Sequence, residues 1–163
     1  MGIHRAQLVG YLKDTVTLLE SSPHYEWGNS GACNCGHLAQ VMTGHHKADL
    51  HRWALERDGD WTETARSYCE NSGLPIDQVI DVMLSKGLQL EDIRHIEYLS
   101  HPDVLARIPG RSSLRHNQRE DVILYFRAWA ELLEQEGVTW EARRMLPQDR
   151  VAVHDSIPEP ERG

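Results

Sequence analysis

Two cysteines separated by one residue, Cys33 and Cys35, form the part of this chain with the most obvious capacity for chemistry. Residues 28–31, just before them, read Gly-Asn-Ser-Gly, a composition that favours a tight turn. Apolar residues recur at helical spacing after Cys35, so we expect a helix to begin there. A helix N-terminus presents unpaired N–H groups and a partial positive charge, and both favour a thiolate over a thiol. The sequence therefore predicts two thiols of lowered pKa at the start of a helix.

A metal or iron–sulfur site is the first function that these thiols suggest. Cys33 and Cys35 would supply two ligands from one turn, and Cys69, the remaining cysteine, would supply a third. We prefer His51 as the fourth ligand because it lies on the predicted helix between the two cysteine-bearing segments. The alternative fourth ligands are His37, His45 and His46. Zinc takes four sulfur and nitrogen ligands, and mixed Cys/His ligation also serves some iron–sulfur clusters. The sequence thus predicts a zinc or iron–sulfur cofactor, and its protein ligands would be Cys33, Cys35, Cys69 and His51.

A nucleophilic cysteine is the alternative hypothesis. The segment contains Tyr25-Glu26-Trp27-Gly28, then Gly31, then Cys35-Gly36-His37-Leu38-Ala39-Gln40. It resembles the nucleophile segment of NlpC-type cell-wall peptidases, which has a Y-x-W-G turn and then D-C-S-G-L-x-Q opening a helix. The resemblance implies that Cys35 is the nucleophile of a hydrolase; a thiol-transfer enzyme, or Cys33 in the same role, are variants of this hypothesis. Asn34 stands where that family has aspartate, and the family carries its catalytic histidine on a β-sheet. Here His95 or His116 would have to act as the base.

A third hypothesis is a protein-interaction module whose thiols are structural. Free cysteine often packs as a small apolar residue, and Cys69 shares a predicted helix face with Ala65. Trp27 and Trp61 flank the thiol-bearing segments and could wall a ligand site, although packing is the commoner role of tryptophan. The acidic side chains around His95 are interpreted as a solvated helix face. They belong to Glu91, Asp92 and Glu97.

The elements that must position these residues are all predicted to be helices. Apolar residues recur at steps of three and four along most of the chain, and no alternating segment is long enough to found a sheet. We predict an all-α fold, a compact orthogonal bundle of six to eight mostly short helices, with one long C-terminal helix (residues 118–136) at its centre. Gly137 is expected to end that helix, and residues 139–146 to form a further short one. Residues 1–146 are predicted to be a single domain, followed by a loosely ordered tail, residues 147–163.

Single residues also predict where three of these helices begin or end. Gly44 is expected to cap the C-terminus of the helix that begins near Cys35. Asp60 is expected to cap the N-terminus of the following Trp61 helix, and Pro75 to stand in the first turn of the next one.

The composition narrows the classes of partner. The 163 residues include 17 Lys and Arg against 25 Asp and Glu, a net charge of −8, which disfavours binding to nucleic-acid phosphates. No apolar run approaches the ~20 residues of a membrane span, and Lys13 and Asp14 interrupt the only N-terminal candidate for a signal core. We therefore expect a cytoplasmic protein with no nucleic-acid or membrane partner. A protein partner and a small-molecule ligand are the remaining candidates.

Overall fold

Eight helices are present in the part of the chain that the computed structural model describes, which is residues 2–22, 24–57, 60–110 and 114–144. They are α1 (Gly2–Ser21), α2 (Asn34–Thr43), α3 (Lys47–Leu55), α4 (Trp61–Arg66), α5 (Pro75–Ser85), α6 (Leu90–Tyr98), α7 (Pro102–Leu105) and α8 (Arg119–Arg144). These ranges contain no β-strand, so the prediction of an all-α fold is confirmed. None of the described helices is long and apolar enough to cross a membrane.

Local sequence signals set several of the helix ends. The α2 helix ends at Gly44, whose φ of 76° is left-handed and whose N–H donates to the carbonyl of Gln40. The α4 helix begins after Asp60, whose carboxylate accepts the N–H of Glu63. The α5 helix has Pro75 in its first turn, where a missing N–H costs nothing. All three ends agree with the sequence prediction because each depends only on neighbouring residues.

The two longest helices, α1 and α8, pack against each other, and α7 packs on α8. The short α2 helix packs against four others: α1, α3, α5 and α6. Most of its residues are buried, including the first six, Asn34 to Ala39. The core between the helices is formed by large apolar side chains, among them Leu12, Leu19, Leu38, Met42, Ile80 and Phe126. The helix that begins at the cysteines is therefore an interior element.

The C-terminal helix is longer than predicted. The α8 helix runs from Arg119 to Arg144 and passes through Gly137, so the prediction that this glycine ends the helix is wrong. One glycine inside a helix costs only ~1 kcal/mol relative to alanine, less than the continuing backbone hydrogen bonds and packing can supply. The predicted separate helix at 139–146 is, as far as Arg144, the end of α8. The predicted tail, residues 147–163, lies outside the described residues.

Candidate functional site

The loop that carries Cys33, residues 29–35, is called here the thiol turn. The backbone N–H groups of Ala32 and Cys33 both donate to the carbonyl of Asn29, at 3.0 and 2.9 Å. From outside, the indole Nε1 of Trp61 donates to the carbonyl of Ser30 at 2.9 Å. The amide Nε2 of Gln40 donates to the carbonyl of Gly31 at 2.7 Å. The turn is therefore held by side chains from α2 and α4 as well as by its own backbone.

Two glycines allow the thiol turn to pack closely. A Cβ atom on Gly31 would lie 1.8 Å from the carbonyl oxygen of Lys47. A Cβ atom on Gly36 would lie 2.4 Å from the carbonyl oxygen of Ser30. Both neighbours are backbone atoms, which cannot move aside as the end of a side chain can. Glycine at these two positions is therefore a steric requirement of the fold.

Both thiols of the turn are buried, and burial disfavours their thiolate forms. Cys33 is 5 % exposed and its Sγ donates to the carbonyl of Ser30 at 3.8 Å, whereas Cys35 is 1 % exposed and its Sγ donates to the carbonyl of Ile93 at 3.5 Å. Burial raises the pKa of Cys33 to about 12 and the pKa of Cys35 well above its ordinary range. The N–H of Gly36 lowers the pKa of Cys33, as expected at a helix start, but the loss of water outweighs it. The predicted lowering of both pKa values is wrong for this reason.

The structure does not bring the four predicted metal ligands together. Cys69 is exposed because α4 ends at Arg66, before it reaches this cysteine, so the predicted buried face shared with Ala65 is not formed. His51 lies on α3, and its Nδ1 accepts the N–H of Ser30 at 3.1 Å. Among the described residues, no group of three or more His, Cys, Asp or Glu side chains is placed to hold a metal ion. Zinc or iron–sulfur binding by this set therefore stays a prediction, and the geometry does not add to it.

The two histidines predicted as bases have other partners. The Nδ1 of His95 lies 2.9 Å from the hydroxyl of Ser100, and its Nε2 lies 3.7 Å from the carboxylate of Glu91. The ring of His116 packs on Trp27, with ring centroids 4.4 Å apart. Within the described part of the chain, no histidine ring is hydrogen-bonded to either thiol of the turn. The nucleophile hypothesis thus gains no thiol–base pair.

Asn34 has a structural role in the fold. The two N–H groups of its side-chain Nδ2 are shared among three carbonyl oxygens, those of Ile96, Glu97 and His116, at 3.2, 3.1 and 3.0 Å. Its Oδ1 accepts the hydroxyl of Tyr25 at 2.5 Å. An aspartate could accept from Tyr25 but could not donate to three carbonyls. The amide at this position therefore joins the start of α2 to the end of α6 and to the segment before α8.

A cavity of about 220 Å³ opens beside the thiol turn, where the turn meets α4 and α6. It is called here the acidic cavity. Its lining residues are Trp27, Gly28, Ser30, Cys33, Asp60, Trp61, Glu97 and Tyr98. Ser30, Cys33, Trp61 and Glu97 are buried and form its inner part, whereas Gly28 and Tyr98 are exposed and mark its opening. Of the predicted metal ligands and nucleophiles, only Cys33 lines it.

The carboxylate of Glu97 is the principal charged group in the inner part of the cavity. Its side chain is only 6 % exposed, and its Oε2 accepts both the N–H and the hydroxyl of Thr62, each at 2.8 Å. Burial raises the pKa of this carboxyl, and the nearby carboxylates of Asp60 and Glu63 raise it further. The interpretation of Glu97 as part of a solvated face is wrong because α4 packs over this end of α6.

Aromatic side chains form the walls of the cavity and its opening. The rings of Trp27 and Tyr98 lie 6.2 Å apart between centroids at an interplanar angle of 58°. Behind them the ring of His116 contacts both. Trp61 is 2 % exposed, and its indole N–H is already donated to Ser30. The hypothesis that Trp27 and Trp61 wall one site agrees with this arrangement.

The sequence did not single out Glu97, Tyr98 or Asp60 as site residues. Asp60 was recognised only as a helix cap, and the other two end an amphipathic helix whose periodicity carries no sign of a cavity. Comparisons of the chain with protein-family models, curated proteins and solved structures find no match. The chemistry of the acidic cavity is therefore the basis on which a function can be assigned.

Proposed function

We propose that this protein is a binding module for a small, positively charged organic ligand, which the acidic cavity holds. The observation that carries the proposal is the buried carboxylate of Glu97 in an aromatic cavity. Both of its hydrogen bonds within the described chain fall on Oε2, which leaves Oε1 for a ligand. No Lys or Arg of the described residues forms an ion pair with it.

The energetics of this carboxylate support a cationic ligand. A buried charge is costly unless an opposite charge compensates it. Here the charged neighbours with the largest effect on the pKa of Glu97 are Asp60 and Glu63, which are acidic and add repulsion. A bound cation would relieve both the desolvation and the repulsion. Strained ionisable groups of this kind are concentrated at functional sites.

The thiols have a structural role in this proposal, in line with the third sequence hypothesis. The side chain of Cys33 forms part of the cavity wall, and Cys35 packs in the core against α6. Metal content of the untagged protein and thiol alkylation rates test the zinc or iron–sulfur hypothesis and the cysteine-enzyme hypothesis separately. No geometric observation favours either of them over the cavity.

Calorimetric titration of the full chain with choline tests the proposal. The control ligand is 3,3-dimethyl-1-butanol, which has the shape of choline but no charge. We expect saturable binding of choline with a Kd of about 1 mM or tighter, equivalent to about −4 kcal/mol or better, and much weaker binding of the alcohol. Glu97→Gln should abolish choline binding, whereas Glu91→Gln, on the exposed side of the same helix, should leave it unchanged. Equal binding of the two ligands, or retention of choline by Glu97→Gln, would contradict the proposal.

A further inference from the structure

The proposed cation site leaves open which kind of ammonium group it takes. On the basis of that proposed function, we infer that the acidic cavity recognises a quaternary, fully methylated ammonium group in preference to a primary amine. The inference rests on the supply of hydrogen-bond acceptors in the cavity, on the aromatic faces around it and on its size.

Several acceptors that line the cavity already receive protein donors, which leaves Oε1 of Glu97 and Oδ2 of Asp60 as the carboxylate oxygens without a hydrogen bond in the described chain. The Oε2 of Glu97 accepts twice from Thr62. The carbonyl of Ser30 accepts from the indole of Trp61 and from the thiol of Cys33. The Oδ1 of Asp60 accepts the N–H of Glu63. A primary ammonium has three N–H donors, each of which needs an acceptor when it leaves water. A quaternary ammonium has none, so it meets no such requirement.

Three of the residues that line the cavity are aromatic, namely Trp27, Trp61 and Tyr98. The rings of Trp27 and Tyr98 meet at 58°, as adjacent panels of a cage would. The N–H of Trp61 is held by Ser30, so its ring rather than its donor is what a ligand can contact. Cations placed over the faces of Trp and Tyr are attracted by the ring quadrupole, and quaternary ammonium ligands are recognised in this way. The carboxylate of Glu97 then supplies the opposite charge without the need for a direct N–H contact.

The volume of the cavity suits a head group of this size. Pockets for drug-sized ligands have volumes of roughly 300–1,000 Å³, and the acidic cavity has about 220 Å³. Its opening, between Gly28 and Tyr98, would let a longer substituent on the nitrogen extend into solvent. The same trimethylammonium group could therefore come from a free small molecule, a lipid head group or a methylated lysine.

A methylation series tests the inference at constant charge. The full chain is titrated with ethanolamine, N-methylethanolamine, N,N-dimethylethanolamine and choline. We expect the affinity to rise with each methyl group, and choline to bind at least ten-fold more tightly than ethanolamine. Equal affinities, or tighter binding of ethanolamine, would overturn the inference while leaving the cation site itself supported. If none of the four ligands binds, the proposed function fails as well.

Variants at the opening test the role of the aromatic faces. Tyr98→Leu, at a side chain that is 41 % exposed, should reduce choline affinity at least five-fold without loss of folding. Trp27→Leu should do the same, whereas Trp53→Leu, which removes a tryptophan on α3 that does not line the cavity, should have no effect. Choline affinity that is unchanged in both cavity variants would overturn the inference.

Two further ligands distinguish the sources of the head group. Phosphocholine represents the lipid head group, and its phosphate should be repelled by Asp60 and Glu97. The amide of trimethyllysine represents a modified protein side chain and carries no such anion. Binding of the lysine derivative with at least the affinity of choline would support the same recognition and identify a methylated protein as the source. Phosphocholine binding more tightly than choline would overturn the role assigned to the carboxylates.

Discussion

In the proposed function, the carboxyl of Glu97 favours a ligand at the expense of the stability of the fold. Its pKa in the folded protein is raised above the ordinary value of 4.5, first by burial and then by Asp60 and Glu63. A raised carboxyl pKa means that the contribution of this group to stability is complete below the unfolded pKa. It is lost as the pH rises through the folded value, because the charge must then be accommodated in the interior.

Glu97→Gln should therefore stabilise the protein near neutral pH in the absence of added ligand. The amide oxygen of glutamine can still accept from Thr62, while the buried charge is removed. The gain in melting temperature should shrink towards zero as the pH is lowered to about the ordinary pKa of 4.5. Thermal unfolding across this pH range measures it, and Glu91→Gln is the exposed control. A variant less stable than the wild type at neutral pH would contradict the assignment.

The three cysteines differ in access to solvent, and this difference predicts their reactivity. Cys69 is exposed, whereas Cys33 and Cys35 are buried with raised pKa values. Only thiolates react with iodoacetamide, so one thiol should be modified rapidly at neutral pH and two only on unfolding. Peptide mass spectrometry of the alkylated protein identifies the sites, and Cys69→Ser should remove the rapid phase. Rapid labelling of Cys33 or Cys35 in the folded protein would instead favour a nucleophilic role.

At the scale of elements, the close approach of the thiol turn to its neighbours should make Gly31 indispensable. A methyl group there would overlap the backbone of Lys47 at the start of α3, so the two segments would have to separate. Overpacking typically costs 1–3 kcal/mol, and rigid backbone neighbours place Gly31→Ala at or above about 3 kcal/mol. Gly10→Ala is the matched control, because that exposed glycine in α1 has no atom within 4 Å of the added Cβ. Gly10→Ala should raise the free energy of unfolding by about 0.5–1 kcal/mol, because alanine is more stable than glycine inside a helix.

Denaturant titration of the two alanine variants measures these changes in the free energy of unfolding. Similar stabilities of Gly31→Ala and Gly10→Ala would show that the turn can move away from α3 without cost. A large loss in Gly31→Ala together with a gain in Gly10→Ala would confirm that the turn is fixed by backbone contact. The pair thus separates steric packing from the general effect of replacing glycine.

The elements that could be predicted from sequence are those specified by nearby residues. Gly44, Asp60 and Pro75 mark helix ends through interactions within one or two turns, and all three appear where expected. The predicted burial of Cys69 was wrong because α4 ends at Arg66, although apolar residues continue at helical spacing beyond it. The predicted exposure of Glu97 was wrong because its hydrogen-bond partner, Thr62, lies 35 residues earlier in the chain. Such a contact depends on how α4 packs on α6, which helical periodicity does not specify.

The pKa values of the thiols were mispredicted for the same reason, since they too depend on contacts between residues far apart in the chain. The local effect, stabilisation of a thiolate by N–H groups at a helix start, was predicted correctly and acts on Cys33. The larger effect is desolvation, which arises because α2 packs against four other helices. The sequence therefore identified a segment that lies beside the cavity. It predicted neither the direction of the thiol pKa shifts nor the cavity itself.

For the whole molecule, the packing around α2 predicts that folding does not require a metal ion. Both thiols of the turn donate to carbonyl oxygens from within the apolar core, so the protein itself gives each thiol a hydrogen-bond partner. A structural zinc site contributes about 10–16 kcal/mol to the folding of small metal-dependent domains, so removal of such an ion would unfold them. Here an excess of EDTA should leave the melting temperature unchanged.

The same preparation, purified without a histidine tag, should be colourless and contain well under one equivalent of zinc or iron. One equivalent of either metal, lost together with the fold when a chelator is added, would contradict this expectation. It would support instead the ligand set Cys33, Cys35, Cys69 and His51, and would require α3 and the segment after α4 to move towards the thiol turn. Cys69→Ser decides between the two outcomes, since it should be neutral for an exposed thiol but should destabilise a protein in which that sulfur is a ligand.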